Sequence, residues 1–383
     1  MLETRKIHIA LPSTGEEEWQ AAREPLLNGW LTQGPKVAEF EKEFAARHTV
    51  SHGLAVTSCT TGLHLALEAL GVGPGDEVIV PAFTWVATAN VVLYCGATPV
   101  FCDVDRETFN IKIEDIASKI TNKTKAIVLV HLFGLCADVD AVKAIVPPHI
   151  KILEDAACAA GASYKNRPAG SLGDMGVFSF HPRKSITTGE GGMVTTNDKE
   201  LNRLSDIMRN HGAEISEEAR HNSAKPYLLP DFKMLGYNYR MTDLQAAVGL
   251  VQLKKLDKFI EERDTWAKYY IEGLKDISWL SPQSTPSYCT QHAWQAFVCY
   301  VDPDKAPMPR NDIMDILQSK GIATRPGTHA VHMLTFYREK YGIRSEDFPG
   351  ARDCDQNTMA IPLHNKMTKE DFDYVVEALH AIN

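Results

Sequence analysis

Strand-like and helix-like segments alternate between about residues 50 and 200, and this pattern constrains the fold more than any other feature of the sequence. Seven short β-rich runs occur there: GLAVTS, DEVIVP, TPVFCDVD, TKAIVLVH, IKILEDAA, MGVFSFH and GGMVTTND. Several are separated by segments with apolar residues near helical spacing, namely LHLALEALG, TANVVLYCG, IEDIASKI and ADVDAVKAIV. The alternation predicts an α/β domain with a mostly parallel sheet. Several runs are apolar on both faces, as expected of strands covered by helices.

The pattern changes after a long helical segment, TDLQAAVGLVQLKKLDKFIEERDTWAKYYIEGLKD. A stretch rich in Pro and Ser follows, then a strand-like run, AWQAFVCYV, and two helix-like segments, NDIMDILQSKG and TKEDFDYVVEALHAI. A chain of 383 residues is also too long for one simple core. We therefore predict a large domain over residues 1–254, with an N-terminal arm, and a smaller α+β domain over 255–383, joined by the long helix.

Charge and cysteine usage argue against several classes of protein. The formal net charge is -9 and no block of Lys or Arg occurs, which disfavours nucleic acid as the main partner. The eight cysteines contain no CxxC pair, which favours reduced, buried thiols over a disulfide frame or a zinc site, so no metal is expected. The sequence shows neither a signal-peptide pattern nor a window of about 20 apolar residues. These features predict a soluble, cytoplasmic protein.

Two segments place polar side chains at junctions between a strand and a helix. In TSCTTGLHLAL, backbone N–H groups at a helix start favour an anion, and the hydroxyls of Ser58, Thr60 and Thr61 can add donors. In LEDAACAAGASY, Glu154 and Asp155 end an apolar strand, where α/β proteins usually bind ligands. An ionised acid there can keep a ring nitrogen protonated. Taken alone, a helix cap explains each segment at least as well.

A lysine lies within FSFHPRKSITTGEGGM, between an apolar run and a segment of Thr and Gly. Lysine is the side chain that forms a Schiff base with a carbonyl, and a buried or crowded site is expected to lower the pKa of Lys184 and free its amine. The glycines allow the backbone to approach a ligand closely. An exposed loop lysine is the alternative that composition alone favours.

Taken together, the motifs resemble the sugar aminotransferases of the DegT/DnrJ/EryC1/StrS group, pyridoxal-phosphate enzymes of the aspartate-aminotransferase fold type I. The resemblance covers nearly the whole chain, and the motifs occur in the family's order: GWLTQGPKVAEFEKEFA, VTSCTTGLHLAL, GPGDEVIVPAFTWVATAN, EDAACAAGASY, SLGDMGVFSFHPRKSITTGEGGMVTTND, LGYNYRMTDLQAAVGLVQLKKLD and IPLH. It implies a large domain with a mostly parallel seven-stranded sheet flanked by helices, followed by a smaller α+β domain.

The resemblance implies a role for each matching residue. Lys184 forms the Schiff base with pyridoxal phosphate and moves a proton between cofactor and substrate. Asp155 pairs with the pyridine nitrogen and keeps the ring an electron sink, while Trp85 stacks on the ring. A carbanion next to nitrogen needs an acceptor ring, a nearby base and a clamp on the ring plane, and these groups supply all three. The positions that hold the cofactor phosphate are matched by Thr60, Thr61 and Ser179.

Further positions concern the neighbouring subunit and the cofactor surroundings. Asn238 and Arg240, in GYNYRM, match the segment that reaches the cofactor phosphate of the other subunit, so the resemblance implies a homodimer with shared active sites. Cys158 stands near the cofactor hydroxyl, where the family often has His or Gln, and a thiol still fits sterically. Glu190 either faces the sugar or only braces its loop.

The segment ATRPGTHAVH resembles perosamine-synthase-like enzymes, which aminate C4 of a nucleotide-linked 4-keto-6-deoxy sugar. Arg325 and His329 are candidates for the nucleotide or sugar pocket, with a plain surface loop as an equal alternative. Those relatives usually carry an aromatic residue after Arg-Pro, and Gly327 stands there in this chain. The resemblance implies L-glutamate as amino donor and pyridoxamine phosphate as the intermediate form of the cofactor.

Three other functions are compatible with parts of this pattern. The same lysine chemistry can serve another ketone, such as a C3 keto sugar or a keto-inositol. Some relatives are sugar dehydratases that carry His in place of the Schiff-base lysine, and Lys184 argues against that function. A cofactor-binding regulatory protein without turnover is the third alternative, which the presence of both Asp155 and Lys184 disfavours.

Overall fold

The structure is a computed structural model that describes residues 5–214, 227, 229 and 231–382. These residues form twelve α-helices: α1 (Glu16–Asn28), α2 (Pro35–Arg47), α3 (Cys59–Ala69), α4 (Ala87–Tyr94), α5 (Ile113–Lys119), α6 (Val139–Ile145), α7 (Lys199–Arg209), α8 (Asp243–Leu274), α9 (Arg310–Ser319), α10 (Thr335–Tyr341), α11 (Pro349–Asn357) and α12 (Lys369–His380).

The described residues also form sixteen short strands: β1 (His52–Val56), β2 (Glu77–Pro81), β3 (Phe83–Thr84), β4 (Thr98–Cys102), β5 (Thr124–Val130), β6 (Lys151–Asp155), β7 (Ser163–Tyr164), β8 (Arg167–Pro168), β9 (Met175–Ser179), β10 (Gly192–Thr196), β11 (Leu280–Pro282), β12 (Cys289–Gln291), β13 (Phe297–Val301), β14 (Arg325–Pro326), β15 (His329–Ala330) and β16 (Thr358–Ile361).

The central sheet has seven strands in the order β1-β10-β9-β6-β5-β2-β4. Strand β10 runs antiparallel to both of its neighbours, and the other adjacent strands are parallel. The prediction of a mostly parallel seven-stranded sheet is therefore confirmed, and each of the seven predicted runs overlaps one of its strands. Because β6 and β9 are parallel neighbours, the residues that end them, Asp155 and Ser179, lie at the same edge of the sheet.

Both faces of the central sheet are buried. Side chains of a strand alternate between the two faces, so Val78 and Val80 pack into one apolar cluster and Ile79 into another. The same alternation separates Leu153 from Ile152 on β6. This double burial explains why the runs are apolar along their whole length rather than at every second position.

A second sheet, antiparallel and four-stranded, has the order β11-β13-β16-β14. It packs with α9, α12 and the second half of α8 around its own apolar cluster, which includes Phe297, Ile313 and Phe372. Helix α8 begins after Thr242, whose hydroxyl accepts from the backbone N–H of Gln245. It continues unbroken for 32 residues across position 254, so the predicted boundary between domains falls inside a helix. The division into two domains remains a prediction.

Two short pairings bring distant segments to the edge of the central sheet. Strand β15 pairs with β3 and places His329 opposite Thr84. The N-terminal arm pairs at Ile7, which exchanges backbone hydrogen bonds with Gly321 and Ala323. In the part of the chain that the structure describes, no helix combines the length and apolar character needed to cross a membrane. All eight cysteines are free thiols.

Candidate active site

A cavity of about 660 Å³ opens at the carboxyl edge of the central sheet, between that sheet and the four-stranded sheet. Its walls come from the ends of β6 and β9, the start of α3, the N-terminal arm and the segment around β14. Nine of the twelve residues predicted for the site line this cavity. The three that do not are Thr61, Asn238 and Arg240.

Asp155 lies at the base of the cavity and is 5% exposed. The hydroxyl of Thr88 donates to its Oδ2 at 2.8 Å, and the backbone N–H of Ala157 donates to its Oδ1 at 3.2 Å. Burial raises the pKa of the Asp155 carboxyl, while these two donors and the charge of Lys184 oppose that rise. A buried carboxylate held by two donors is oriented to bind one cationic group. Sequence reasoning missed Thr88, because nothing distinguishes it within the predicted helical segment.

Glu154 points to the opposite face of β6, as alternation along a strand requires. It is fully buried, and its two oxygens accept from the backbone N–H groups of Gly170, Leu172 and Gly173 at 2.6–2.7 Å. His131 donates from Nε2 to the same carboxylate at 2.9 Å, since its Nδ1 accepts from the backbone of Ala137. Both residues are therefore structural.

The amine of Lys184 lies 3.2 Å from the sulfur of Cys158, within the cavity. Burial alone would lower the pKa of Lys184, but the adjacent Cys158 and Cys59 and the carboxylate of Asp155 raise it above its usual value. The expectation that a crowded site lowers this pKa is therefore wrong for the protein without cofactor. The groups that crowd the amine favour its charged form.

The start of α3 lines the cavity at Cys59 and Thr60. The first backbone N–H groups of a helix have no intrahelical acceptor. Ser179, at the end of β9, lines the same region. Such a helix start favours an anion. Thr61 is placed differently: its N–H donates to Ser58 Oγ at 3.2 Å, and its hydroxyl donates to the carbonyl of Ser58 at 2.8 Å. It caps the helix, which is the alternative weighed for this segment.

At the mouth of the cavity, Trp85 is 60% exposed and its ring lies 5.7 Å from that of His329, centroid to centroid. The pairing of β3 with β15 fixes this proximity. Next to them, a Cβ on Gly327 would lie 2.6 Å from Thr358 Oγ1 and 3.2 Å from the ring of Phe133. There is no room for the aromatic residue that the resemblance leads one to expect at this position.

Asn238 and Arg240 lie outside the cavity, beside the end of β1. Asn238 is exposed, and Arg240 Nη1 donates to the side-chain oxygen of Asn210 at 2.6 Å. Neither residue is among those that line the cavity of its own chain. This placement is compatible with the predicted reach into a neighbouring subunit and does not test it.

The loop that follows Lys184 is fixed by its own hydroxyls. Thr187 donates to the carbonyl of Phe180, and Thr188 to that of Glu190. A Cβ on Gly192 would lie 2.7–2.8 Å from the backbone of Ser58 and Cys59. The absence of a side chain at this glycine thus allows β10 to lie against the start of α3. Gly192 therefore allows a close contact with protein backbone and not with a ligand.

Glu190 lines the cavity and is exposed, with its carboxylate 4.0 Å from His181 Nε2. Two arginines also line the cavity, Arg183 and the predicted Arg325. Gln295 donates to the carbonyl of Arg183 at 2.7 Å and so links the lysine loop to the second sheet. Sequence reasoning singled out neither His181 nor Arg183, although both lie within the lysine motif.

Residues 12–380 match the DegT/DnrJ/EryC1/StrS aminotransferase family. The chain belongs to this family. Among its relatives is the spore coat polysaccharide biosynthesis protein SpsC of Bacillus subtilis (strain 168), 41% identical over 377 residues that cover 97% of this chain and 96% of that protein. The putative sugar aminotransferase Spr1654 from Streptococcus pneumoniae, in its PMP form, has a TM-score of 0.91 at 30% identity and covers 99% of this chain and 98% of its own.

A dehydratase shares the DegT/DnrJ/EryC1/StrS fold as well. GDP-4-keto-6-deoxymannose-3-dehydratase (ColD), solved as a mutant with bound GDP-perosamine, has a TM-score of 0.89 at 28% identity and covers 98% of this chain and 100% of its own. The predictions of family, fold type and aminotransferase class are confirmed. The family includes both aminotransferases and a dehydratase, so membership alone does not select the acceptor.

The cofactor of the DegT/DnrJ/EryC1/StrS aminotransferases is pyridoxal phosphate, as predicted, and Spr1654 has been solved in both PLP and PMP forms. The donor set in this chain fits that group. Asp155 offers a buried carboxylate for the ring nitrogen, Lys184 an amine for the aldehyde, and the start of α3 backbone N–H groups for the phosphate.

Proposed function

We propose that this protein transfers an amino group from L-glutamate to a nucleotide-linked keto sugar, at C4 of an NDP-4-keto-6-deoxyhexose. The observation that carries the proposal is the placement of the Lys184 amine and the buried Asp155 carboxylate in one cavity. These are the two groups that transamination requires of the protein: a base that moves a proton, and an anion that keeps the cofactor ring protonated.

Each group at the base of the cavity has a defined task in this reaction. Bound pyridoxal phosphate supplies an electron sink for the carbanion that forms at the substrate carbon. Asp155, held by hydrogen bonds from Thr88 and Ala157, orients the ring and places a negative charge opposite the ring nitrogen. Lys184 holds the proton that leaves one carbon and returns it to another, in both halves of the reaction. The start of α3 binds the phosphate.

The size and lining of the cavity support a large anionic acceptor. A volume of about 660 Å³ exceeds what an amino acid needs, and ligand sites for larger molecules fall in this range. Arg325 and His329 line the same cavity and can contact a nucleotide or sugar. ColD, which shares this fold, has been solved with GDP-perosamine, a sugar linked to a nucleotide. This relative supports a nucleotide sugar as the acceptor class.

The presence of Lys184 disfavours the dehydratase alternative, because those relatives are expected to carry His at this position. It equally disfavours a regulatory protein without turnover, which does not need a base beside a carboxylate. A different ketone, at C3 or on an inositol ring, uses the same lysine and differs only in how the acceptor lies in the cavity.

The test is to offer GDP-, dTDP- and UDP-linked 4-keto-6-deoxy sugars with L-glutamate and to follow release of the keto acid. We expect turnover with one of the three. Lys184→Ala should lower the rate by a factor of at least about 100, whereas Lys340→Ala, on the exposed side of α10, should not change it. Borohydride reduction followed by mass spectrometry should label Lys184 in the unmodified protein.

The results separate the class of reaction from the acceptor. Failure with all three sugars would overturn the C4 assignment while leaving the aminotransferase class intact. Full activity of Lys184→Ala, or a cofactor attached to another lysine, would overturn the mechanism.

We also propose that the protein is a homodimer in which Asn238 and Arg240 reach the cofactor phosphate of the other subunit. Their position outside their own cavity, with Asn238 exposed and Arg240 beside the end of β1, supports this arrangement. A single chain then has an incomplete phosphate site.

A further inference from the structure

Two guanidinium groups line the active-site cavity, and neither is paired with a carboxylate in the part of the chain that the structure describes. Arg183 directly precedes Lys184, and Arg325 lies on β14. Within the described ranges, the side chain of neither arginine forms a hydrogen bond or an ion pair with another residue. Other exposed arginines do form such pairs: Arg106 with Asp353 at 2.8 Å and Arg167 with Asp140 at 2.6 Å.

The two guanidiniums belong to the lining of one cavity. Partial burial lowers the pKa of Arg325, and the positive charge of Arg183 lowers it further. Two like charges in a partly desolvated cavity repel each other, and an anion placed between them removes that repulsion. Guanidinium groups suit this task, because their planar donors match carboxylate and phosphate oxygens in pairs.

The backbones that carry the two arginines are fixed. Gln295 holds the carbonyl of Arg183 at 2.7 Å, and the N–H of Arg183 donates to His181 Nδ1 at 3.2 Å. Arg325 is paired in register with Ala360 of β16. The long side chains therefore extend from rigid anchors into the same space, which limits the entropy lost when they bind a ligand.

We propose that Arg183 and Arg325 form one anion site that serves both substrates in turn, binding a carboxylate of the amino donor and then the phosphate groups of the acceptor. This inference rests on the proposed function. In that reaction the donor leaves as its keto acid before the acceptor enters the same cavity. Both molecules are anionic, so one pair of cations can hold each of them in its own half of the reaction.

The experiment uses two unreactive probes on the cofactor-loaded protein. Glutarate carries the carboxylates of the donor without its amine, and inorganic pyrophosphate stands for the diphosphate of the acceptor. Titration calorimetry should show that each probe binds and that a saturating amount of one excludes the other. Arg183→Gln and Arg325→Gln should each weaken both probes by about tenfold or more, the usual effect of losing a hydrogen bond to a charged group.

Arg338→Gln provides the matched control, since Arg338 is exposed on α10, outside the cavity. Arg183→Gln and Arg325→Gln each remove a guanidinium that has no partner among the described residues. The melting temperature of each variant should therefore be at or above that of the unmodified protein. Arg183→Lys should bind both probes with intermediate affinity, because it keeps the charge and loses the paired donors.

Two results would overturn the shared site. One is binding of either probe to Arg183→Gln or Arg325→Gln as tight as to Arg338→Gln. The other is simultaneous binding of glutarate and pyrophosphate with no loss of affinity for either. If no sugar nucleotide is aminated but the probes still compete and depend on both arginines, the anion site stands and the proposed substrates are wrong.

Discussion

The contact between Lys184 and Cys158 favours the charged form of the amine that we propose attacks the cofactor aldehyde. Only a neutral amine is nucleophilic, and the sulfur at 3.2 Å contributes to raising the pKa of Lys184. Below that pKa, the neutral fraction grows about tenfold with each pH unit. The protein without cofactor should therefore combine with pyridoxal phosphate faster as the pH rises from neutral.

We predict that Cys158→Ala lowers the pKa of Lys184, because it removes a thiol that favours the charged amine and leaves the burial that disfavours it. Recombination of the cofactor-free protein with pyridoxal phosphate should then be faster at neutral pH, and its rate should level off at a lower pH. Stopped-flow absorbance across neutral and alkaline pH measures both effects. Cys289→Ala, a thiol outside the cavity, is the control, and identical pH profiles for the two variants would contradict the prediction.

Site residues could be predicted from the sequence where they lie in a motif that suggests a chemical role. Asp155, Lys184 and Ser179 follow strands whose ends meet at one edge of the sheet, and all three line the cavity. Thr88 and Arg183 were not predictable in this way. A threonine in an apolar helix carries no local signal, and a charged loop residue is usually solvated; only the folded arrangement shows which ones face the site.

Strand β6 combines two carboxylates with different tasks, because its alternate residues face opposite sides. Asp155 faces the cavity, whereas Glu154 binds the turn at Gly170–Gly173 and the imidazole of His131. The turn leads into β9, the parallel neighbour of β6. Glu154 therefore ties together the elements that carry Asp155 and Ser179.

We predict that Glu154→Gln destabilises the fold by about 3 kcal/mol or more, as expected when one member of a buried charged network is removed. The glutamine side chain has an NH₂ group in place of one of the two carboxylate oxygens. Both oxygens of Glu154 accept hydrogen bonds, so in the variant at least one hydrogen bond is replaced by a contact between two donors. Urea unfolding measures the change. Glu200→Gln, at an exposed pair with Arg203, should have little effect, and equal stability of the two variants would be inconsistent with this account.

A second prediction concerns the packing of α8 on α2. Alanine normally stabilises a helix relative to glycine by about 1 kcal/mol. At Gly249, however, a Cβ would lie 2.8 Å from the ring of buried Phe40 and 3.0 Å from Thr188. Overpacking costs about 1–3 kcal/mol, so Gly249→Ala should be destabilising on balance.

The matched control is Gly273→Ala in the same helix, where the nearest atoms are the methyl groups of Val376 at 3.3 Å. It should be neutral or stabilising in thermal unfolding. Phe40→Leu combined with Gly249→Ala should recover part of the loss. If Gly249→Ala proves as stable as Gly273→Ala, then Phe40 adapts and steric contact does not explain this glycine.

Helices and strands long enough to show a pattern of apolar residues were predicted well, and the shortest strands were missed. All seven strands of the central sheet and helix α8 overlap predicted segments, because each has at least five residues and so is long enough to leave a pattern in the sequence. The pairs β3–β15 and β7–β8 have strands of two residues each, too few for any periodicity. Yet β3 and β15 bring Trp85 to His329, so the mouth of the cavity depends on contacts that sequence patterns cannot reveal.

The two subunits of the proposed dimer would depend on each other for complete sites. We predict that mixing Lys184→Ala with Asn238→Ala, each inactive or impaired alone, restores about a quarter of the normal activity, since half of randomly assorted dimers are mixed and each carries one complete site. The variants are unfolded together, refolded and assayed. Two copies of the same variant, treated identically, are the control.

If Asn238 acts within its own chain, the mixture will show no more activity than the average of its components. Size-exclusion chromatography with light scattering gives the oligomeric state directly. A monomer that is fully active would remove the basis of the prediction altogether.

The N-terminal arm, fixed by Ile7 beside the second sheet, goes on to contribute Ile9 and Ala10 to the wall of the cavity. The conformation of the arm is therefore set by its contacts with distant parts of the chain. For the laboratory this decides where an affinity tag belongs: a tag placed before the arm is attached a few residues from the substrate wall. One placed after α12 is joined to an element that contributes nothing to that wall. Assays of substrate preference are best made with the latter.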